Sequence, residues 1–90
     1  MIHNMRMAKE VMGLIDSFGI KTKLIGSVKN KGTSHHDIDL VVLNMDYVGS
    51  DLISKLEKAI CVVKFIATDN GGLFVKTAKY GNLDFSRTHS

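Results

Sequence analysis

Apolar and polar positions along this chain recur with two different periods. Met5, Ala8, Met12 and Ile15 fall at helical spacing, and Val11, Leu14 and Phe18 widen the stripe. This predicts an amphipathic helix over 4–18, with Gly19 at the C′ position. Residues 23–25 (Lys-Leu-Ile) make a short strand that stops at Gly26. The stretch 27–36 is polar and contains Gly32, so it reads as a loop with room for one helical turn after Ser27. Residues 37–43, DIDLVVL, read as a strand. Ser50 is suited to cap a second helix, with Leu52, Ile53, Leu56, Ala59 and Ile60 on its buried face. Residues 61–67 are rich in β-formers, and Asp69-Asn70-Gly71-Gly72 is a turn signal. A strand over 73–78, a turn at Tyr80-Gly81-Asn82 and a last strand over 83–87 complete the chain. The order α-β-β-α-β-β-β predicts an α+β, two-layer fold. Its mixed β-sheet has about 4–5 strands, and the two main helices pack on one face.

The length of 90 residues fits one domain, 1–90. A chain this short buries only ~60% or slightly more of its unfolded surface, so modest stability is expected. Proline, repeats and low-complexity tracts are all absent, which confines expected disorder to the termini. Cys61 is the single cysteine, so no intrachain disulfide framework can form. The N-terminus lacks a continuous apolar run, and no segment approaches the ~20 apolar residues of a membrane span. The expectation is a soluble, unprocessed, cytoplasmic protein with no membrane partner. A net charge of +3 pulls only mildly toward polyanions. Lysines such as Lys29, Lys31, Lys55, Lys58, Lys64, Lys76 and Lys79 are scattered, which gives a nucleic-acid-binding module little support.

Strand periodicity sorts the carboxylates. Ile38, Leu40 and Val42 fall on one face of DIDLVVL, and Asp37 and Asp39 on the other. In NLDFS, Leu83 and Phe85 share a face, and Asp84 points opposite with Asn82 and Ser86. If the apolar sets meet the helices, all three aspartates project from the uncovered face. The sequence leaves open whether the two strands are neighbours. Aspartates at i and i+2 sit about 7 Å apart at the backbone, so their carboxylates can converge on one ion. Like charges so close repel unless a cation lies between them. Oxygen-only ligands suit Mg²⁺ or Mn²⁺, and a third carboxylate allows two ions, the geometry used in phosphoryl transfer. Acidic pairs at strand ends are also common as merely solvated groups.

Gly26-Ser27 follows a strand and precedes a possible helical turn. Glycine lets a phosphate approach the backbone, and exposed N–H groups with a serine hydroxyl attract anions. Nine residues, 28–36, separate Ser27 from Asp37. A phosphate cradle would thus stand beside a metal site.

The stretch LIGSVKNKGTSHHDIDLVV resembles the nucleotidyltransferase superfamily typified by DNA polymerase β. Its pattern is an apolar residue, Gly-Ser or Gly-Gly, roughly ten residues, then Asp-hydrophobic-Asp/Glu-hydrophobic. KGTSHHDIDL also looks like the corresponding loop of CCA-adding enzymes. The resemblance covers about twenty residues, and Asp84 lies where the family carries its third carboxylate. It implies a nucleotidyltransferase fold with Gly26 and Ser27 on the β- and γ-phosphates of an NTP, ATP foremost. Asp37 and Asp39 would ligate both of two metal ions, Mg²⁺ or Mn²⁺. Asp84 would ligate only the catalytic one and help deprotonate an acceptor hydroxyl. That hydroxyl would attack the α-phosphorus and expel pyrophosphate.

The chain also resembles the minimal nucleotidyltransferases, little more than a catalytic core. Such proteins often work with a helical HEPN-type subunit or as homo-oligomers, and the acceptor hydroxyl expected here belongs to a protein, a nucleic acid or a small molecule. The alternative is a non-catalytic, antitoxin-like module whose metal site is idle.

Other residues have weaker claims. Lys29 and Lys31 either neutralise phosphates or are solvated. His35 and His36 read as loop residues near a nucleotide, since neighbouring histidines rarely converge on one zinc. His3 and His89 carry no signal, Cys61 reads as a core residue, and Asn82 and Ser86 are placed to line the groove beside Asp84.

Overall fold

A computed structural model describes residues 2–43, 50–67 and 72–87. Helix α1 spans Met5–Asp16 and starts where Asn4 caps it, the Asn4 side chain accepting from the Met7 N–H at 2.9 Å. It buries Ala8, Val11 and Ile15. Leu14 and Phe18, expected on the same stripe, are exposed, because the helix ends before Phe18 and its buried face is narrower than the apolar run. Gly19 takes the left-handed conformation (φ 89) that turns the chain toward Ile20, whose N–H returns to the Ile15 carbonyl.

Strand β2 (Thr22–Ile25) leads directly into helix α2 (Gly26–Lys31), so the region read as a loop is one short helix anchored by buried Val28. A residue pair at the N-terminus, β1 (His3–Asn4), pairs antiparallel with β3 (Thr33–Ser34) in a small ribbon. Strand β4 is Ile38–Val42, helix α3 is Ser50–Ala59, and strands β5, β6 and β7 are Val62–Ala67, Leu73–Thr77 and Gly81–Arg87. Asp37 therefore precedes its strand instead of opening it. Strand β7 starts at Gly81, two positions before the expected strand, because the turn occupies residues 78–80. The turn expected over residues 69–72 lies largely outside the described residues, as does the side chain of Ser50.

The five-stranded sheet runs β2-β4-β7-β6-β5. Strand β4 is parallel to β7, and the other pairs are antiparallel, so the sheet is mixed as expected. Ile38, Leu40 and Val42 of β4, Leu83 and Phe85 of β7, and Leu73 and Val75 of β6 form one core with Ala8, Val11, Ile15, Leu52 and Leu56 of the helices. This is a two-layer α+β fold with helices over one face. Tyr80 ties the β6–β7 turn to α1 through its hydroxyl, which donates to Glu10 Oε1 at 2.8 Å. Cys61 is exposed, not in the core, because it sits at the joint between α3 and the sheet edge. Among the described residues no helix is long and apolar enough to cross a membrane.

Candidate active site

The three aspartates meet. In the parallel β4–β7 pair, Asp39 lies in register with Asp84, so their side chains stand side by side on the face away from the helices. Asp37 joins them from the turn before β4. One carboxylate oxygen from each of Asp37, Asp39 and Asp84 lies within 4.8 Å of the other two, and all three residues are half-buried. The triad can hold a metal ion.

The electrostatics reflect this crowding. Burial, then the charges of Asp37 and Asp84, then a hydrogen bond with Asp37 push the Asp39 carboxyl up to about 6. Burial and the Asp37 charge also raise Asp84. A cation among them would remove the repulsion that causes much of this.

Gly26 closes one side of the site. The chain leaves β2 through it with φ 78, a left-handed conformation that favours glycine. Its Cα faces Asp39 so closely that an added Cβ would overlap Oδ2 and lie 2.9 Å from Cγ. Ile25 pairs with Asp39 across β2 and β4, which fixes this approach. Ser27 is exposed at the start of α2. Ser27 and Lys31 line a cavity of about 390 Å³ together with Thr33, Ser34, His35 and His36. Lys29 is exposed on the same short helix but does not line that cavity.

His3 is the residue that sequence reasoning missed. It is 1% exposed, and both ring nitrogens are used. Nδ1–H donates to the Ser34 carbonyl at 3.2 Å, and Nε2 accepts the Asn82 N–H at 3.0 Å. The acceptor on one side and the donor on the other assign the Nδ1–H tautomer. Ser34 Oγ in turn accepts from the Asp37 N–H at 3.4 Å and the His36 N–H at 3.2 Å. Asn82 Nδ2 donates to the His36 carbonyl at 2.9 Å. His3 thus ties the turn carrying Asp37 to the strand carrying Asp84. No local motif announces it, since the partners are far apart in sequence. Asn82 and Ser86, expected beside Asp84, are half-buried on the same strand and share its face. The side chain of Arg87 and all of His89 lie outside the described residues.

No family model, curated protein or solved structure matches the chain. The three converging carboxylates can hold a metal ion, and the neighbouring cavity is lined by hydroxyls, a lysine and two histidines.

Proposed function

We propose that the chain is a nucleotidyltransferase that moves a nucleoside monophosphate from an NTP to an acceptor hydroxyl. The observation that carries this reading is the convergence of Asp37, Asp39 and Asp84 directly against Gly26. The donor set fits two hard cations, Mg²⁺ or Mn²⁺, since it is all oxygen. Bound there, they would neutralise phosphate charge and make the acceptor hydroxyl more acidic.

The chain's own residues do the rest. Gly26 leaves the helix start open for a phosphate, and the Ser27 hydroxyl donates to it. Lys31, with Lys29 nearby, balances the charge of the leaving pyrophosphate. Asp37 and Asp39 hold the triphosphate's counter-charge in place. Asp84 takes the proton from the acceptor hydroxyl. The hydroxyl oxygen forms an ester bond to the α-phosphorus. The bond from the α-phosphorus to the bridging oxygen breaks, and pyrophosphate leaves. Positioning and charge neutralisation supply the catalysis. ATP is the foremost donor. A helical HEPN-type subunit or a second copy of the chain is the partner this reading expects.

The test is incubation with each NTP, labelled at the α- or γ-phosphate, with Mg²⁺ or Mn²⁺ and candidate acceptors, the chain itself included. The α-label should become covalently attached while the γ-label leaves as pyrophosphate. Asp37→Asn and Asp39→Asn should lose transfer. Transfer that persists in both variants, or partner binding without any transfer, contradicts the reading.

A further inference from the structure

The strand register builds two rows across the open face that sequence order conceals. Beyond the triad, Asp84 pairs with Phe74 of β6, and Phe74 pairs with Ile66 of β5. In the next row, Asn82 pairs with Lys76, and Lys76 pairs with Lys64. Neighbouring strands lie about 4.8 Å apart, and same-face rows about 7 Å apart. An apolar row and a basic row therefore run side by side away from Asp84.

Neither row is explained by folding. Phe74 is half-buried and Ile66 is 41% exposed, and both lie outside the core cluster. Lys64 and Lys76 are exposed, and among the described residues neither forms an ion pair. Like charges directly opposite across two strands are destabilising unless an anion lies between them. Among the described residues, strand β5 is the edge of the sheet.

We infer that this surface binds the acceptor, and that the acceptor is a single-stranded polynucleotide. Its bases stack on Phe74 and pack against Ile66 while its phosphates follow Lys76 and Lys64. A nucleic-acid strand presents these two chemistries as parallel edges, bases along one side and phosphates along the other, which is what the two rows match. Its terminal hydroxyl then arrives at Asp84 from the side opposite Gly26, where the nucleotide's phosphates lie. Calling the strand an acceptor rests on the nucleotidyltransferase reading; its binding does not.

The test is fluorescence anisotropy of a dye-labelled, ten-nucleotide single-stranded RNA with the full chain in Mg²⁺ and no NTP, over a salt series. Phe74→Ala should weaken binding about tenfold, with Phe74→Leu intermediate. The double change Lys64→Gln and Lys76→Gln should flatten the slope of log affinity against log salt by about 1.4, the loss of two phosphate contacts. Lys9→Gln, on the exposed side of α1, controls for net charge and should leave the slope nearly unchanged. Failure of the RNA to bind, unchanged binding in the Phe74 and lysine variants, or transfer to a protein with no RNA binding overturns the inference. Metal-dependent NTP binding is measured on the same proteins. NTP binding without RNA binding sinks the platform and spares the enzyme. RNA binding through Phe74 and the lysines without NTP binding or transfer keeps the platform and sinks the enzyme.

Discussion

Gly26 and Asp39 are packed so closely that a methyl group on Gly26 would overlap the Asp39 carboxylate. The glycine thus meets two demands, a left-handed backbone at φ 78 and room for the Asp39 carboxylate. Gly26→Ala should cost about 1 kcal/mol or more in stability from backbone strain alone. It should also weaken Mn²⁺ binding at least tenfold by displacing Asp39. Thermal unfolding and Mn²⁺ titration separate the two effects. Retained Mn²⁺ affinity would mean that the close approach has no bearing on the site.

The aspartates oppose folding when no cation is bound. Asp39 and Asp84 stand in register on adjacent parallel strands, each with a raised pKa. Asp39→Asn removes a charge from this cluster. In EDTA at neutral pH the variant should be more stable than the parent, by about 1 kcal/mol once solvent screening of a half-exposed group is allowed for. Addition of Mn²⁺ should reverse the order, because only the parent gains stability from binding. Equal stability under both conditions would show that the cluster is ordinary solvated surface.

The same shift sets a pH dependence. The Asp39 carboxyl titrates at about 6 in the fold against an ordinary 3.8, so between those values the native state holds the proton better. Stability of the metal-free protein from this group is therefore greatest below about pH 4 and is lost as pH rises toward 6. Asp84 shifts in the same direction. Cation binding needs the deprotonated form, so Mn²⁺ affinity should fall as pH drops below about 6, approaching tenfold per unit for one released proton. Calorimetric titrations at pH 5, 6 and 7 read this directly. An affinity independent of pH over that range counts against Asp39 as a ligand.

How much of this was legible in the sequence depends on distance along the chain. The period-two alternation in DIDLVVL and NLDFS placed Asp39 and Asp84 opposite the core residues, and the sheet bears that out, whereas Asp37 joins them from the turn before the strand. Their adjacency was not legible, because the pairing of β4 with β7 joins positions some 45 residues apart, as in Asp39 with Asp84. The same holds for Lys64 beside Lys76, which looked scattered in sequence. The two-residue strands β1 and β3 are too short to leave a periodic signal, so His3 was read as a terminal residue. Helix α2 was read as a polar loop with one possible turn, and only buried Val28 marks its inner side.

His3 supplies a prediction of its own. His3→Phe keeps a ring in the buried site but removes both hydrogen bonds, to the Ser34 carbonyl and from the Asn82 N–H. The two groups left unpaired should cost about 2–4 kcal/mol in stability. Beyond that, the Asp37 turn should loosen from β7 and Mn²⁺ affinity should drop several-fold, even at temperatures where the variant remains folded. An imidazole ¹⁵N spectrum of the parent should show the Nδ1–H tautomer. The opposite tautomer would contradict the hydrogen-bond assignment.

The most direct measurement is a Mn²⁺ titration, followed by calorimetry or electron paramagnetic resonance, of the parent and of Asp37→Asn, Asp39→Asn and Asp84→Asn, each with and without a non-hydrolysable NTP. The parent should bind Mn²⁺, more tightly when the nucleotide is present. Asp37→Asn and Asp39→Asn should lose that binding, and Asp84→Asn should lose one ion while keeping the nucleotide-linked one. Mn²⁺ binding unchanged by all three substitutions, or none in the parent with nucleotide, would contradict a cation site built from Asp37, Asp39 and Asp84.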